Sequence, residues 1–147
     1  MAITFISVKI LAPPNNTTAA CNGGVFGVDV EVHGTSDGAG GRYLVELWDD
    51  DLFVDDLLDN SVAIPIAPNQ NFTVVTNMTL QCDANCDVVG AIGSSGESTA
   101  EVYAHAVEQR PGGAKMGSQP VNLICDDDLP PPEKKQERYE EQTVGKT

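Results

Sequence analysis

Cysteine and aspartate are the residues of this chain with the most capacity for chemistry. Its four cysteines are Cys21, Cys82, Cys86 and Cys125, and four thiols permit three disulfide pairings. Cys82 and Cys86 are close in sequence, which favours a local bridge and leaves Cys21 with Cys125. That second bridge would close a loop of about a hundred residues and stabilise by roughly 4 kcal/mol in the chain-entropy model. The same thiols have other uses. Four thiolates at one pole can hold zinc, but a lone Cys-x-x-x-Cys with two distant partners is a weak zinc signature. Buried free thiols suit a reducing compartment, and bridges between chains suit an assembly.

The carboxylates invite a calcium reading, because Ca²⁺ wants six to eight oxygens from carboxylates and carbonyls. Asp49, Asp51, Asp83, Asp87, Asp126 and Asp128 are the candidates to converge. No EF-hand spacing orders them, so the sequence is read as a solvated acidic pole with no specific metal site.

Catalytic patterns are not found. The glycines at 38, 40 and 41 lack the lysine and following helix of a phosphate-binding loop. Gly93-Ser-Ser-Gly96 does not make a nucleophile elbow. His33 and His105 both fall on polar strand faces. Acidic loop runs give no sign of two acids facing each other across a cleft. The expectation is no enzyme, no catalytic residue and no cofactor. Asn15, Asn16, Asn71 and Asn77 stand in Asn-x-Ser/Thr patterns, which matter only on a glycosylating secretory route.

Charge narrows the partners. The net charge is −14 with only 8 basic residues among 147. Such a chain repels phosphate backbones, whose binding rests on Lys and Arg, so no nucleic-acid partner is expected. No segment approaches the roughly 20 apolar residues of a membrane helix. Residues 1–11 lack a basic n-region, and Lys9 interrupts their apolar run, so they read as a strand and not as a signal peptide.

Those residues must be positioned by strands. Apolar side chains recur at every second position, and sustained helical periodicity does not occur before the tail. Ile6, Val8 and Ile10 alternate with Ser7 and Lys9 until Pro13-Pro14. Val28, Val30 and Val32 oppose Asp29, Glu31 and His33. After a glycine-rich turn, residues 42–48 form a third strand, and the acidic residues 49–60 are expected as a loop or one short irregular helix. Residues 62–66 make a short strand with Pro65 at an edge. The cleanest pattern spans residues 71–82, with Phe72, Val74, Thr76, Met78, Leu80 and Cys82 on one face. Residues 88–92 extend it or add a small strand. Ala100, Val102, Ala104 and Ala106 oppose Glu101, Tyr103 and His105, and Val121, Leu123 and Cys125 oppose Asn122 and Ile124.

Seven or eight short strands separated by turns imply an all-β, antiparallel Greek-key sandwich over residues 1–125. With Trp48 near the third strand and Tyr103 near the sixth, the pattern resembles the immunoglobulin or fibronectin-type sandwich. A jelly roll or another Greek-key sandwich fits the same strands. The resemblance offers a second cysteine pairing, Cys21–Cys82 with Cys86–Cys125, suited to the neighbouring second and fifth strands. It lacks the family's bridge between the second and sixth strands. Tyr103 also shares its face with Glu101 and His105, unlike a tyrosine corner. Strand alternation puts all four cysteines and most acidic clusters at one end of the sandwich.

Residues 126–147 form an acidic, proline-rich linker and a charged C-terminal arm. Pro130-Pro131-Pro132 is a stiff polyproline stretch, and Lys134, Arg138, Tyr139 and Glu141 follow without an apolar stripe. The functional expectation is a structural component of a larger assembly, a virion (bacteriophage) decoration or connector protein. The arm after Pro132 would then lie on a neighbouring protein subunit, with the protein oligomeric in its assembly. The alternative is an extracellular adhesion or carbohydrate-binding module using Tyr43, Trp48 or Tyr103, with Trp48 expected in the core. Location follows as virion or extracellular, with no membrane partner.

Overall fold

The computed structural model describes residues 2–130; the charged arm after Pro132, with Lys134, Arg138, Tyr139 and Glu141, lies outside the described residues. Among the described residues the chain is all-β, without a helix, in two sheets packed face to face. In chain order the strands are β1 (Ile3–Ala12), β2 (Thr17–Ala20), β3 (Val25–Ser36), β4 (Gly41–Asp49), β5 (Asp56–Asn60), β6 (Ile64–Ile66), β7 (Asn71–Cys82), β8 (Val88–Val89), β9 (Thr99–Glu108), β10 (Lys115–Gly117) and β11 (Val121–Asp126). One sheet runs β1-β3-β7-β8. The other runs β2-β11-β9-β4-β5, with β10 on β9 and β6 on β4.

The alternation in the sequence is the alternation of burial. Along β3, Phe26, Val28, Val30 and Val32 are buried, each worth about 1.5–3 kcal/mol over exposure. β9 places Ala100, Val102, Ala104 and Ala106 opposite them, small enough to let the sheets approach. β7 buries Phe72, Met78, Leu80 and Cys82, with Val74 half-buried. Tyr43 is fully buried between Phe5 and Phe72, at ring distances of 5.6 and 5.8 Å.

β1 departs from simple alternation. Ile3 and Phe5 point inward, then a register shift between Phe5 and Ser7 restarts the pattern at Val8. The extra residue, Ile6, is left outside at 51% exposure. A bulge of this kind reverses which residue of the next pair faces the core, so the expected inward face of Ile6, Val8 and Ile10 holds only for its second half. Pro13-Pro14 then end β1, and the chain crosses to the other sheet, where β2 pairs parallel with β11.

The acidic residues 49–60 are not helical. β4 runs to Asp49, residues 50–55 turn, and β5 returns antiparallel with Asp56 opposite Asp49. The strands that alternation does not mark, β2, β5 and β10, are only three to five residues long. Pro65 sits exposed in β6 at the margin of its sheet.

Candidate functional site

The sandwich has one chemically occupied end. β1, β4, β7 and β11 all finish there, bringing Cys82, Cys125 and Asp49 to the same pole. The structure pairs Cys21 with Cys86 and Cys82 with Cys125, at Cα separations of 4.7 and 5.7 Å. This is the third arrangement, and it corrects both the Cys82–Cys86/Cys21–Cys125 and the Cys21–Cys82/Cys86–Cys125 pairings. The reason is the strand face. Cys82 follows Leu80 and Cys125 follows Leu123 on core-facing positions, so the two meet across the interior, one from each sheet. Cys86 lies beyond a turn in which the Asp83 carboxylate accepts the Asn85 and Asp87 amides. There it reaches Cys21 in the connection between β2 and β3. No described cysteine is free.

At the same pole stands the β4–β5 hairpin. Asp55 holds its loop in shape, accepting the Asp51 amide at 3.1 Å with one oxygen and the Tyr103 hydroxyl with the other. The Tyr103 hydroxyl bond is the leading reason the Asp55 carboxyl lies below its ordinary range, and the Asp51 amide adds to it. At the tip, Leu52, Phe53 and Val54 are 85%, 90% and 71% exposed. Three consecutive large apolar side chains in water are a poor choice for solubility alone.

Below the tip lies the opposite anomaly. Asp49 occupies a core-facing position of β4, after Tyr43, Val45 and Leu47, and is 0% exposed. Neither of its oxygens has a hydrogen-bond partner. Burial, then the charges of Glu97 and Asp51, push its carboxyl up to about 7; the Glu101 backbone N–H opposes this without making a properly aligned bond. Carboxylate oxygens of Asp49, Asp51 and Asp56 lie within 4.8 Å of one another. Of the six acids expected as candidates, Asp49 and Asp51 therefore meet, joined by Asp56, which the sequence reading passes over. Asp126 and Asp128 form a separate group with Asp127, and Asp83 and Asp87 join neither. The signal for Asp56 is hairpin register, which pairs it directly with Asp49.

A second feature lies on the outer face of β4 and β9. Trp48 is half-buried there and not in the core, a correction to expectation, and its indole N–H donates to Glu46 at 3.0 Å. His105 contacts Tyr103 and Trp48 at ring distances of 5.0 and 6.5 Å. Tyr43, also considered as a platform residue, is core, and burial pushes its hydroxyl up to about 12. His33 faces outward from the other sheet beside Asn71, so the two histidines do not meet.

The remaining buried acid, Glu108, sits at the opposite pole and is fully used. It accepts the Ile3 and Ala114 amides at 3.1 and 2.9 Å and the Arg110 guanidinium at 2.8 Å. Burial raises its carboxyl, but the bonds from Arg110, Ala114 and Ile3 together bring it below the ordinary value. No protein-family model and no curated protein sequence matches the chain. Among the described residues no helix is long and apolar enough to cross a membrane.

Proposed function

We propose that this protein is a non-enzymatic module of immunoglobulin-like topology that docks onto another protein of a larger assembly, extracellular or on a particle surface. One observation carries the reading: the apolar tip of Leu52, Phe53 and Val54, exposed at the pole that carries the two disulfides. Aromatic and aliphatic side chains of this kind anchor protein interfaces when a partner covers them. The tip is flanked in the chain by the solvent-accessible Asp50, Asp51, Asp55 and Asp56, so the fitting partner surface is an apolar pocket with a basic rim.

The immunoglobulin-like part is supported by strand order. β1-β3-β7 form one layer, β11-β9-β4-β5 the other, and the split first segment lends β2 to the second layer in parallel with β11. Two disulfides suit an oxidising, extracellular or particle-exposed setting. A virion decoration or connector role belongs to this class and is the form we favour.

The test replaces Leu52, Phe53 and Val54 with Ser, Asn and Ser. Exposed positions change stability by only about 0.5 kcal/mol or less, so the melting curve should hold while incorporation into the native assembly is lost. Undiminished incorporation would defeat the proposal. A second reading, a glycan-binding face, is favoured by Trp48, Tyr103 and His105 gathered on one outer surface with Glu46. Binding on a glycan array that Trp48→Ala removes would move the function there.

A further inference from the structure

We propose that Asp49, Asp51 and Asp56 form a calcium-binding site at the base of the β4–β5 hairpin. A cluster of surface acids would not support this, because such clusters normally sit in water with no ligand. Asp49 is different. It is buried with both oxygens unpartnered, and its carboxylate is directed toward those of two half-buried neighbours.

An ionised carboxylate without a partner is among the most costly groups to bury. Here its direct cross-strand neighbour is another aspartate, an arrangement that destabilises a strand pair. The charges that press on it are Glu97, Asp51 and Asp56, all negative. A chain could relieve this with a lysine or arginine, and the basic residues are few: Lys9, Arg42, Arg110 and Lys115 are those among the described residues. Arg110 is engaged with Glu108 at the far pole. What would satisfy the three carboxylates is a cation from solution.

Geometry favours a large, hard ion. Three oxygens no more than 4.8 Å apart all lie within about 2.8 Å of their common centre, close to the 2.3–2.6 Å that calcium requires. Small side-chain rotations cover the difference. Magnesium demands about 2.0–2.1 Å and a near-ideal octahedron, a tighter fit than carboxylate oxygens spread up to 4.8 Å apart offer. Asp51 and Asp56 are half-buried, leaving one side open for water to complete the shell. The site stands on the carboxylates alone, whatever the apolar tip above it docks to.

The experiment uses the full chain, stripped with chelator and titrated with CaCl₂ at constant ionic strength, followed by calorimetry and thermal melting. One calcium per chain is expected, with a dissociation constant on the order of 0.1–1 mM, the range of extracellular modules. The melting temperature should rise by several degrees in 10 mM calcium. Asp49→Asn and Asp51→Asn should each weaken binding at least tenfold, while neutralising Asp126, Asp127 and Asp128 together should leave it unchanged. Absence of heat and of any melting shift would overturn the site. So would a calcium response undiminished in both single variants, or one abolished only by the 126–128 substitutions. Should Asp49→Asn fail to fold, Asp51→Asn and Asp56→Asn decide the question in the same way.

Discussion

The two buried carboxylates of this sandwich predict opposite responses to the same chemical change. Glu108→Gln and Asp49→Asn each replace a carboxylate by its near-isosteric amide. At Glu108, one oxygen accepts Ala114 N–H and the other accepts Ile3 N–H and the Arg110 guanidinium. The glutamine amide must turn its NH₂ toward one of those donors, leaving at least one backbone N–H without an acceptor in the interior. An unsatisfied buried donor costs about 1–3 kcal/mol. Arg110 is 41% exposed and adds little, as surface ion pairs do.

Asp49 makes no hydrogen bond through either oxygen. Its carboxyl rises from an ordinary 3.8 to about 7, which at about 1.36 kcal/mol per pKa unit corresponds to a penalty of roughly 4 kcal/mol for the ionised form. Asparagine removes the charge but still buries an amide lacking partners, returning about 1–3 kcal/mol of that. The net expectation is that Asp49→Asn stabilises the cation-free protein by about 1–3 kcal/mol, while Glu108→Gln destabilises it by a similar amount. Urea unfolding at pH 7 with chelator, followed by the fluorescence of the single tryptophan, Trp48, measures both. The denaturant slope should be unchanged in each. A loss of more than about 1 kcal/mol in Asp49→Asn would mean that the carboxylate is satisfied, and would refute the reasoning.

Two further outcomes follow from the same groups and from the disulfides. In the cation-free protein Asp49 holds its proton more tightly when folded than when unfolded. Its contribution is therefore fully present below about pH 4 and is lost as pH rises toward about 7. Glu108 acts in the opposite sense, its stabilisation being lost as pH falls through its depressed value. Melting temperature should thus decline from pH 5 to 7, and the decline should shrink in Asp49→Asn; a flat wild-type profile would count against the buried charge. Converting Cys82 and Cys125 to alanine opens a cross-link spanning 43 residues and should lower stability by about 4 kcal/mol in the chain-entropy model. Chemical denaturation reads that loss, and a change below about 1 kcal/mol would mean the sheets are held there by packing alone.

Much of the fold was legible in the sequence because strand alternation is a local signal. Val28, Val30, Val32 and the run from Phe72 to Cys82 declare their inner face without reference to anything distant. What was not legible depended on registry. The bulge at Ile6 changes the phase of β1 by one residue, and nothing in Ile3 to Ile10 marks which of two apolar frames wins. The expectation that Trp48 lies in the core fails because it alternates with Leu47 and Asp49 and therefore faces outward. The cysteine pairing was misread for a related reason. Proximity in sequence favours Cys82 with Cys86, but the core-facing phase shared by Leu80, Cys82, Leu123 and Cys125 selects the bridge between sheets. Phase along the strand outweighs distance along the chain.

The same rule sets apart the pole at which we place the proposed function. Period-2 alternation carries Tyr43, Val45 and Leu47 into the core, and it carries Asp49 there too. A sequence selected only for a stable sandwich would place valine at that position, and would not follow it with Leu52, Phe53 and Val54 in water. Both breaches of the pattern fall within one hairpin, at the pole that carries the two disulfides, whereas the other pole satisfies its buried acid completely. Local rules are usually broken where something other than stability is being served. A buried, unpartnered anion beneath an exposed apolar tip is therefore best understood as a loop made to be completed from outside: by a cation below and a partner surface above.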